Sequence, residues 1–255
     1  VIEATQTQTG PVGTGSSGSR RLGGLAIVAL AILLVFGLVI SPPDVVQGES
    51  VRLFYLHVPV ILVAYTGFFF TMVGSIMYLK TNSVFWDLLA GAAGEIAVLF
   101  CAFGLFTGAM WGKPTWGVYW QWDARLTSTT VMFVMYIGYL AVRHLELPPE
   151  VRRRRAAVLG IVSILNVIVV HYSVTWWRGM HQGRTLGLDP QIEGASMMFS
   201  FFMGSVAFFL TAGWLLLHRF RVSWLVHQVD QEGLALAITE RRAEGEGEGL
   251  AGSVS

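Results

Sequence analysis

"LGGLAIVALAILLVFGLVI", Leu22 to Ile40, is a run of nineteen residues without a charge. An apolar block of about 18 or more residues is long enough to cross the hydrocarbon core of a bilayer as a helix. The run is long for the apolar region of a signal peptide. The next residues, Ser41-Pro42-Pro43-Asp44, are not a small-residue cleavage site. It reads as an uncleaved first span. Working outward, five further blocks have the same character: Phe54–Leu79, Leu88–Met110, Leu126–Val142, Ala156–Val174 and Met197–Leu217. The 255 residues are 54% hydrophobic and 13% charged, about half the charge of a soluble domain. Backbone polar groups inside a bilayer must be satisfied within the protein, so only helices or a closed barrel can span it. Barrel strands would be short and alternating. These blocks are long and continuous, which predicts an all-α integral membrane protein with six transmembrane helices.

The connections are short, and no soluble domain fits between the spans. No internal repeat is visible, so an inverted-repeat transporter has no support. The chain divides into a disordered tail over 1–21, a six-helix membrane domain over 22–220, and a largely disordered tail over 221–255. Orientation follows from Lys and Arg, which accumulate on the cytoplasmic side. One side carries Arg20, Arg21, Lys80, Arg143, Arg152–Arg155, Arg219, Arg221, Arg241 and Arg242; the other carries Arg52, Lys113, Arg125, Arg178 and Arg184, a division of 12 to 5. Both termini are therefore expected in the cytoplasm, and 41–53, 111–125 and 175–196 face outward. Arg152–Arg155 reads as a topology determinant that could also meet anionic membrane lipid. A net charge of +1 is too small to imply a nucleic-acid partner. The single cysteine, Cys101, makes no internal disulfide and no Cys-based metal site.

The outward face is aromatic. "WGKPTWGVYWQWDARLTS", Trp111 to Ser128, places four tryptophans and Tyr119 between two spans, and Trp176 and Trp177 lie in the last outer connection. An interfacial belt is one reading, since Trp and Tyr collect at both membrane surfaces. A belt should be shared between the faces, however, and it needs no histidine. Here six of nine tryptophans and three of six histidines (His57, His171, His181) are on one side. Gly112, Pro114 and Gly117 are expected to break the third helix. A short interfacial helix over Trp116–Asp123 would then set Trp116 and Trp120 on one face, with Asp123 and Arg125 at its end. Such a platform suits a large flat apolar ligand. Haem is one: its iron takes axial imidazoles, and its propionates suit the planar fork of Arg. Pro59 is tolerated in a helix's first turn and so fixes His57 near the outer mouth of the second helix. His57 and His181, in different connections flanking the tryptophans, form a candidate bis-imidazole iron site, with His171 weaker. His144, His218 and His227 read as ordinary interfacial residues. Glu95 lies inside the third span, where carboxylates are rare and functional by default. It reads either as a contact lining a ligand path or as a hydrogen-bonded helix–helix contact.

These residues resemble the tryptophan-rich WWD signature of haem-handling membrane proteins. The CcmC, CcmF and CcsA branches share that signature. "WDARLTS", Trp122 to Ser128, is similar to CcmC; the other branches follow the aspartate with proline and an acidic residue. "FYLHVP" (Phe54–Pro59), "GEIAVLFCAFGLFTGAMWGKP" (Gly94–Pro114) and "SVTWWRGMHQG" (Ser173–Gly183) are also similar to CcmC segments, and the resemblance covers roughly 22–220. Arg178 stands where many CcmC proteins have asparagine. The resemblance implies a bacterial inner-membrane protein, not an enzyme in its own right, that binds b-type haem noncovalently at the periplasmic face. It implies delivery of that haem to the chaperone CcmE, with CcmD and the ATP-dependent CcmA–CcmB module as further partners. It maps axial ligation onto His57 and His181. Platform and docking map onto Trp111, Trp116, Trp120, Trp122 and Asp123, and Tyr119, one turn before Asp123 in the expected interfacial helix, joins them by its spacing. Propionate contact or handover maps onto Arg52 and Arg125, and Arg184, on the same outward side, is a further candidate for it. A path or supporting role falls to Glu95, Trp176 and Trp177. The alternatives are a haem lyase acting directly on apocytochrome c, as in the sister branches, and a haem or small-solute transporter. Ala124-Arg125 in place of the proline motif argues against the first, and the scarcity of polar residues within the spans argues against the second.

Overall fold

The computed structural model describes residues 16–177, 179, 181 and 194–252. The order of elements is α1 (Ser17–Val35), extended by a π-helical turn over Phe36–Ile40, a 3-10 turn over Glu49–Leu53, α2 (Phe54–Thr81), α3 (Val84–Trp116), α4 (Ala124–Arg143), α5 (Pro149–Trp176) and α6 (Ala195–Gly252). Six helices among the described residues are long and apolar enough to cross a membrane. The expected spans are all present.

The antiparallel pair α2 and α3 forms the centre. Between helices that gain little from hydrophobic exclusion, small residues allow close packing. A Cβ on Gly67 would stand 2.7 Å from the Cβ of Ala97, and one on Gly74 would stand 3.0 Å from the Cβ of Ala90. Phe68 stacks on Tyr136 of α4 at 3.7 Å between ring centroids. Tyr55, Phe68, Tyr136 and Tyr139 are fully buried around this line. On the other side, α6 presses Gly204 against the carbonyl of Tyr55, where a Cβ would collide. That carbonyl sits four residues before Pro59, which has no N–H to donate to it. The proline is the sixth residue of α2 rather than in its first turn, so it opens a place for α6 as well as setting His57 near the helix start.

Helix α1 begins at Ser17, inside the residues read as a tail, and α5 begins at Pro149 rather than Ala156; three further differences from the sequence reading lie in α3, the stretch after it and α6. Helix α3 does not break at Gly112 or Pro114: it runs to Trp116 and ends where Gly117 turns left-handed at φ 79°, its N–H bonding the Lys113 carbonyl. Gly112 is buried, where a Cβ would press on the Trp116 ring at 3.1 Å, and a proline in the last turn disrupts little beyond it. No interfacial helix forms over Trp116–Asp123; residues 117–123 are irregular. Helix α6 continues past Leu217 to Gly252, through residues read as a tail; Leu, Ala, Glu, Gln and Arg are good helix formers and account for it as far as Glu244, whereas Gly245, Gly247 and Gly249 do not favour it.

At the end of the bundle away from the tryptophans, Asp87 of α3 is 4% exposed. It accepts from Arg143 Nη1 at 2.7 Å and Nη2 at 3.0 Å, with Arg153 Nε at 3.5 Å. One carboxylate thus ties the ends of α3, α4 and α5. Breaking a buried pair by removing one partner strands a charge and costs about 3–5 kcal/mol. Asp87→Leu should therefore lower thermal stability in detergent by roughly that amount, and Asp87→Leu with Arg143→Leu by clearly less. Equal losses in the single and double variants would show that the pair does not hold the helix ends.

Candidate functional site

Where α3 meets α4, a cavity of about 330 Å³ opens between α2, α3, α4 and α5, within the range of roughly 300–1,000 Å³ typical of ligand sites. Val58, Ile61, Leu62, Leu105 and Val170 give it apolar walls, and His57, Tyr65, Arg125, His171 and His181 bring polar groups to it.

His57 is the fourth residue of α2. Its Nδ1 lies 3.1 Å from Thr107 Oγ1 on α3. The Thr107 hydroxyl donates to the Phe103 carbonyl at 2.9 Å, so its oxygen is left to accept from Nδ1–H. That tautomer leaves Nε2 with a free lone pair. Gly108 makes room, since a Cβ there would be 3.0 Å from His57 Cε1. The ring stands edge-on to Trp111 at 5.7 Å, and Trp111 Nε1 donates to Gln47 at 3.0 Å.

His181 comes from the segment after α5. Its Nδ1 lies 2.6 Å from Asp123 Oδ2, the arrangement by which a carboxylate orients a ligating imidazole and raises its basicity. Burial pushes the His181 pKa down and outweighs the Asp123 bond and charge that raise it. The ring is therefore neutral at pH 7, with Nε2 free. Asp123 also serves the backbone, its Oδ1 accepting from the Leu126 N–H at 2.8 Å and so capping α4. Trp116 packs on His181 at 4.6 Å.

A family model described as heme exporter protein C matches residues 15–235. Heme exporter protein C of Escherichia coli K12 is 34% identical over 66% of this chain and 70% of its own. The Bradyrhizobium diazoefficiens protein of the same name is 40% identical over 60% of each chain. A mitochondrial protein of Marchantia polymorpha, described as ccmC-like and linked by name to cytochrome c biosynthesis, is 33% identical over 73% of this chain and 78% of its own.

The chain belongs to the heme exporter protein C family.

In this member of the heme exporter protein C family, the tertiary structure divides the residues singled out in the sequence. Trp111 and Trp116 line the cavity with His57, His181 and Arg125. Trp120 packs on Trp122 at 5.3 Å, and neither lines it. Trp122 is 76% exposed, and Tyr119, Trp176 and Trp177 are each about half exposed, with Tyr172 stacked on Trp176. These outer rings can serve as an interfacial belt or as a docking surface. Arg52 is engaged elsewhere: it pairs with Glu49 at 2.5 Å and donates to the carbonyl of Leu38 in the middle of the π-helical turn. Glu95 is not at the cavity. It pairs with Arg219 of α6, with Nη2 2.8 Å from Oε1, which is the helix–helix alternative. Arg184 lies outside the described residues. Sequence reasoning missed Thr107, Gly108 and Tyr65. Nothing distinguishes Thr107 from other helix threonines until α2 is packed against α3.

Among the described residues, no group of three or more His, Cys, Asp and Glu is assembled to hold a bare metal ion. A tetrapyrrole needs less, because it brings four equatorial nitrogens and asks for two axial ligands. Two imidazoles, apolar walls and Arg125, which forms no ion pair among the described residues, fit that requirement. His57→Ala and His181→Ala should each lower haem content or change its optical spectrum. Planar stacking is worth about 1–3 kcal/mol per ring in other systems, so Trp111→Ala or Trp116→Ala should weaken binding roughly ten- to a hundredfold. Trp122→Ala should weaken it much less. Equal losses on titration with haem would show that the cavity does not separate these three rings, and no loss in any of them would return them to the belt reading.

Proposed function

We propose that this chain holds haem b noncovalently between His57 and His181 and delivers it to the haem chaperone CcmE during cytochrome c maturation. The observation that carries the reading is the pair of imidazoles. They come from separate segments, reach one apolar cavity, and each has Nδ1 taken by a partner of the protein, which leaves Nε2 as the free nitrogen. Membership of the heme exporter protein C family supports haem as the cargo.

In this reading the chain positions and ligates, and the covalent bond to haem forms on the chaperone. No Cys-x-x-Cys-His occurs in the sequence, and its one cysteine is buried, which favours noncovalent binding. Arg125 is the propionate partner at the cavity, and the exposed Tyr119 and Trp122, with the half-buried Trp120 between them, form beside Asp123 the docking surface for the chaperone. Arg52 supports the cavity by holding the end of α1 to the turn before α2. CcmD and the CcmA–CcmB module are the partners that the family resemblance implies. The positive-inside bias puts the cavity on the outward, periplasmic face of the bacterial inner membrane, with both termini in the cytoplasm.

The protein purified without added haem should show the spectrum of a six-coordinate, bis-histidine b-type haem, removable by acid–acetone. Haem that stays on the polypeptide, or a thiolate-type spectrum, would refute the reading. Sidedness has its own check, in a background with Cys101 replaced. Val45→Cys, on a residue 99% exposed, should react with a membrane-impermeant maleimide in intact cells, and Glu146→Cys should not. The reverse pattern would invert the topology.

A further inference from the structure

The two cavity imidazoles are held by unequal partners. Thr107 Oγ1 carries one proton, and two of its three contacts are with carbonyls, Phe103 at 2.9 Å and Gly104 at 3.2 Å. Carbonyls only accept, so the proton is committed to them and His57 bonds to what remains: a neutral oxygen at 3.1 Å. His181 bonds to a carboxylate oxygen at 2.6 Å, on a side chain that is 5% exposed. A hydrogen bond to an ionised acceptor is roughly twice as strong as a neutral one. A carboxylate behind an imidazole also makes that imidazole the better electron donor to a metal.

From this we propose that Thr107 is the positioning residue for His57, and that the unequal pair makes His57 the exchangeable axial ligand and His181 the anchor when haem is passed on. The inference rests on the haem reading above. One feature opposes it: His181 lies outside any helix, whereas His57 is fixed in α2, and backbone mobility alone would favour His181 as the leaving ligand. The bond to Asp123 answers that. Asp123 is itself anchored as the cap of α4, and its Oδ2 would be only 3.3 Å from a Cβ on Gly179, so Gly179 and His181 are both held against the start of α4. His57, by contrast, is aimed by neutral partners alone, the Thr107 hydroxyl and the Gly104 backbone. In the exchange, one iron–nitrogen bond to His57 breaks, one bond to an incoming ligand forms, and no electron is gained or lost.

The test uses the full chain purified with haem, oxidised to the ferric state, with cyanide as the incoming ligand. Replacement is followed optically, and the reduction potential is measured alongside. Removing a partner behind a ligating histidine costs about 10–100-fold in metal affinity in other proteins. Thr107→Val, which keeps the shape and removes the acceptor, should therefore exchange about tenfold or more faster. Thr107→Ser should restore the wild-type rate. Thr66→Val, which removes an α2 hydroxyl bonded only to its own helix, should match wild type and control for a general loosening of the bundle. Asp123→Asn should raise the potential more than Thr107→Val does, because it removes the charge behind the anchor. Loss of haem from Thr107→Val but not from Thr107→Ser or Thr66→Val would also support the positioning role. An unchanged rate in Thr107→Val overturns the inference, as does fast exchange in Asp123→Asn in its place. If the wild-type protein takes up no haem, the underlying reading fails instead.

Discussion

Water is absent from the middle of a bilayer, and each polar group carried there must find its partner inside the protein. That constraint organises this molecule. Thr66, Thr71, Thr107, Thr129 and Thr211 turn their hydroxyls back onto carbonyls of their own helices. Glu95 of α3 meets Arg219 of α6, and Asp87 gathers Arg143 and Arg153. Each pairing joins helices that gain little from hydrophobic exclusion, so the polar groups do part of the work that a core does in water.

The same constraint gives the cavity its chemistry. A histidine among apolar helices must have one ring nitrogen satisfied, and the satisfied nitrogen decides which one is left to act. Thr107 and Asp123 take Nδ1 of His57 and His181, so both rings present Nε2. Asp123 joins two levels of structure. With one oxygen it begins α4, and with the other it holds a histidine from the segment after α5. The aspartate of the tryptophan-rich signature is therefore a fixed point of the fold as well as part of its site.

The tryptophans divide by position into two groups. Trp111 and Trp116 belong to the last turns of α3, on the side that faces the histidines. Trp122, at 76% exposed, belongs to the irregular stretch after Gly117. A single left-handed glycine thus marks the change from rings that can hold a ligand to rings that can meet a partner or the membrane surface.

The sequence by itself determined the six spans, because their length and lack of charge have only one stable solution in a bilayer. It also marked His57, His181 and the tryptophans, since those residue types gathered between spans are unusual. Its expectation of a broken third helix failed at Gly112 and Pro114. Neither residue stops a helix that still has a turn to finish and neighbours to pack against. Only the tertiary structure decided which of the marked residues meet. The close approach of α2 and α3 through Gly67, Gly74, Ala90 and Ala97 brings Thr107 beside His57, fifty positions apart in the chain. The return of the chain after α5 brings His181 to Asp123, fifty-eight positions apart. Glu95 was visible as an intramembrane carboxylate, but its partner Arg219 lies 124 positions away. Partnerships over such separations depend on which helix faces pack, and packing is a property of the assembled bundle that no local run of residues records.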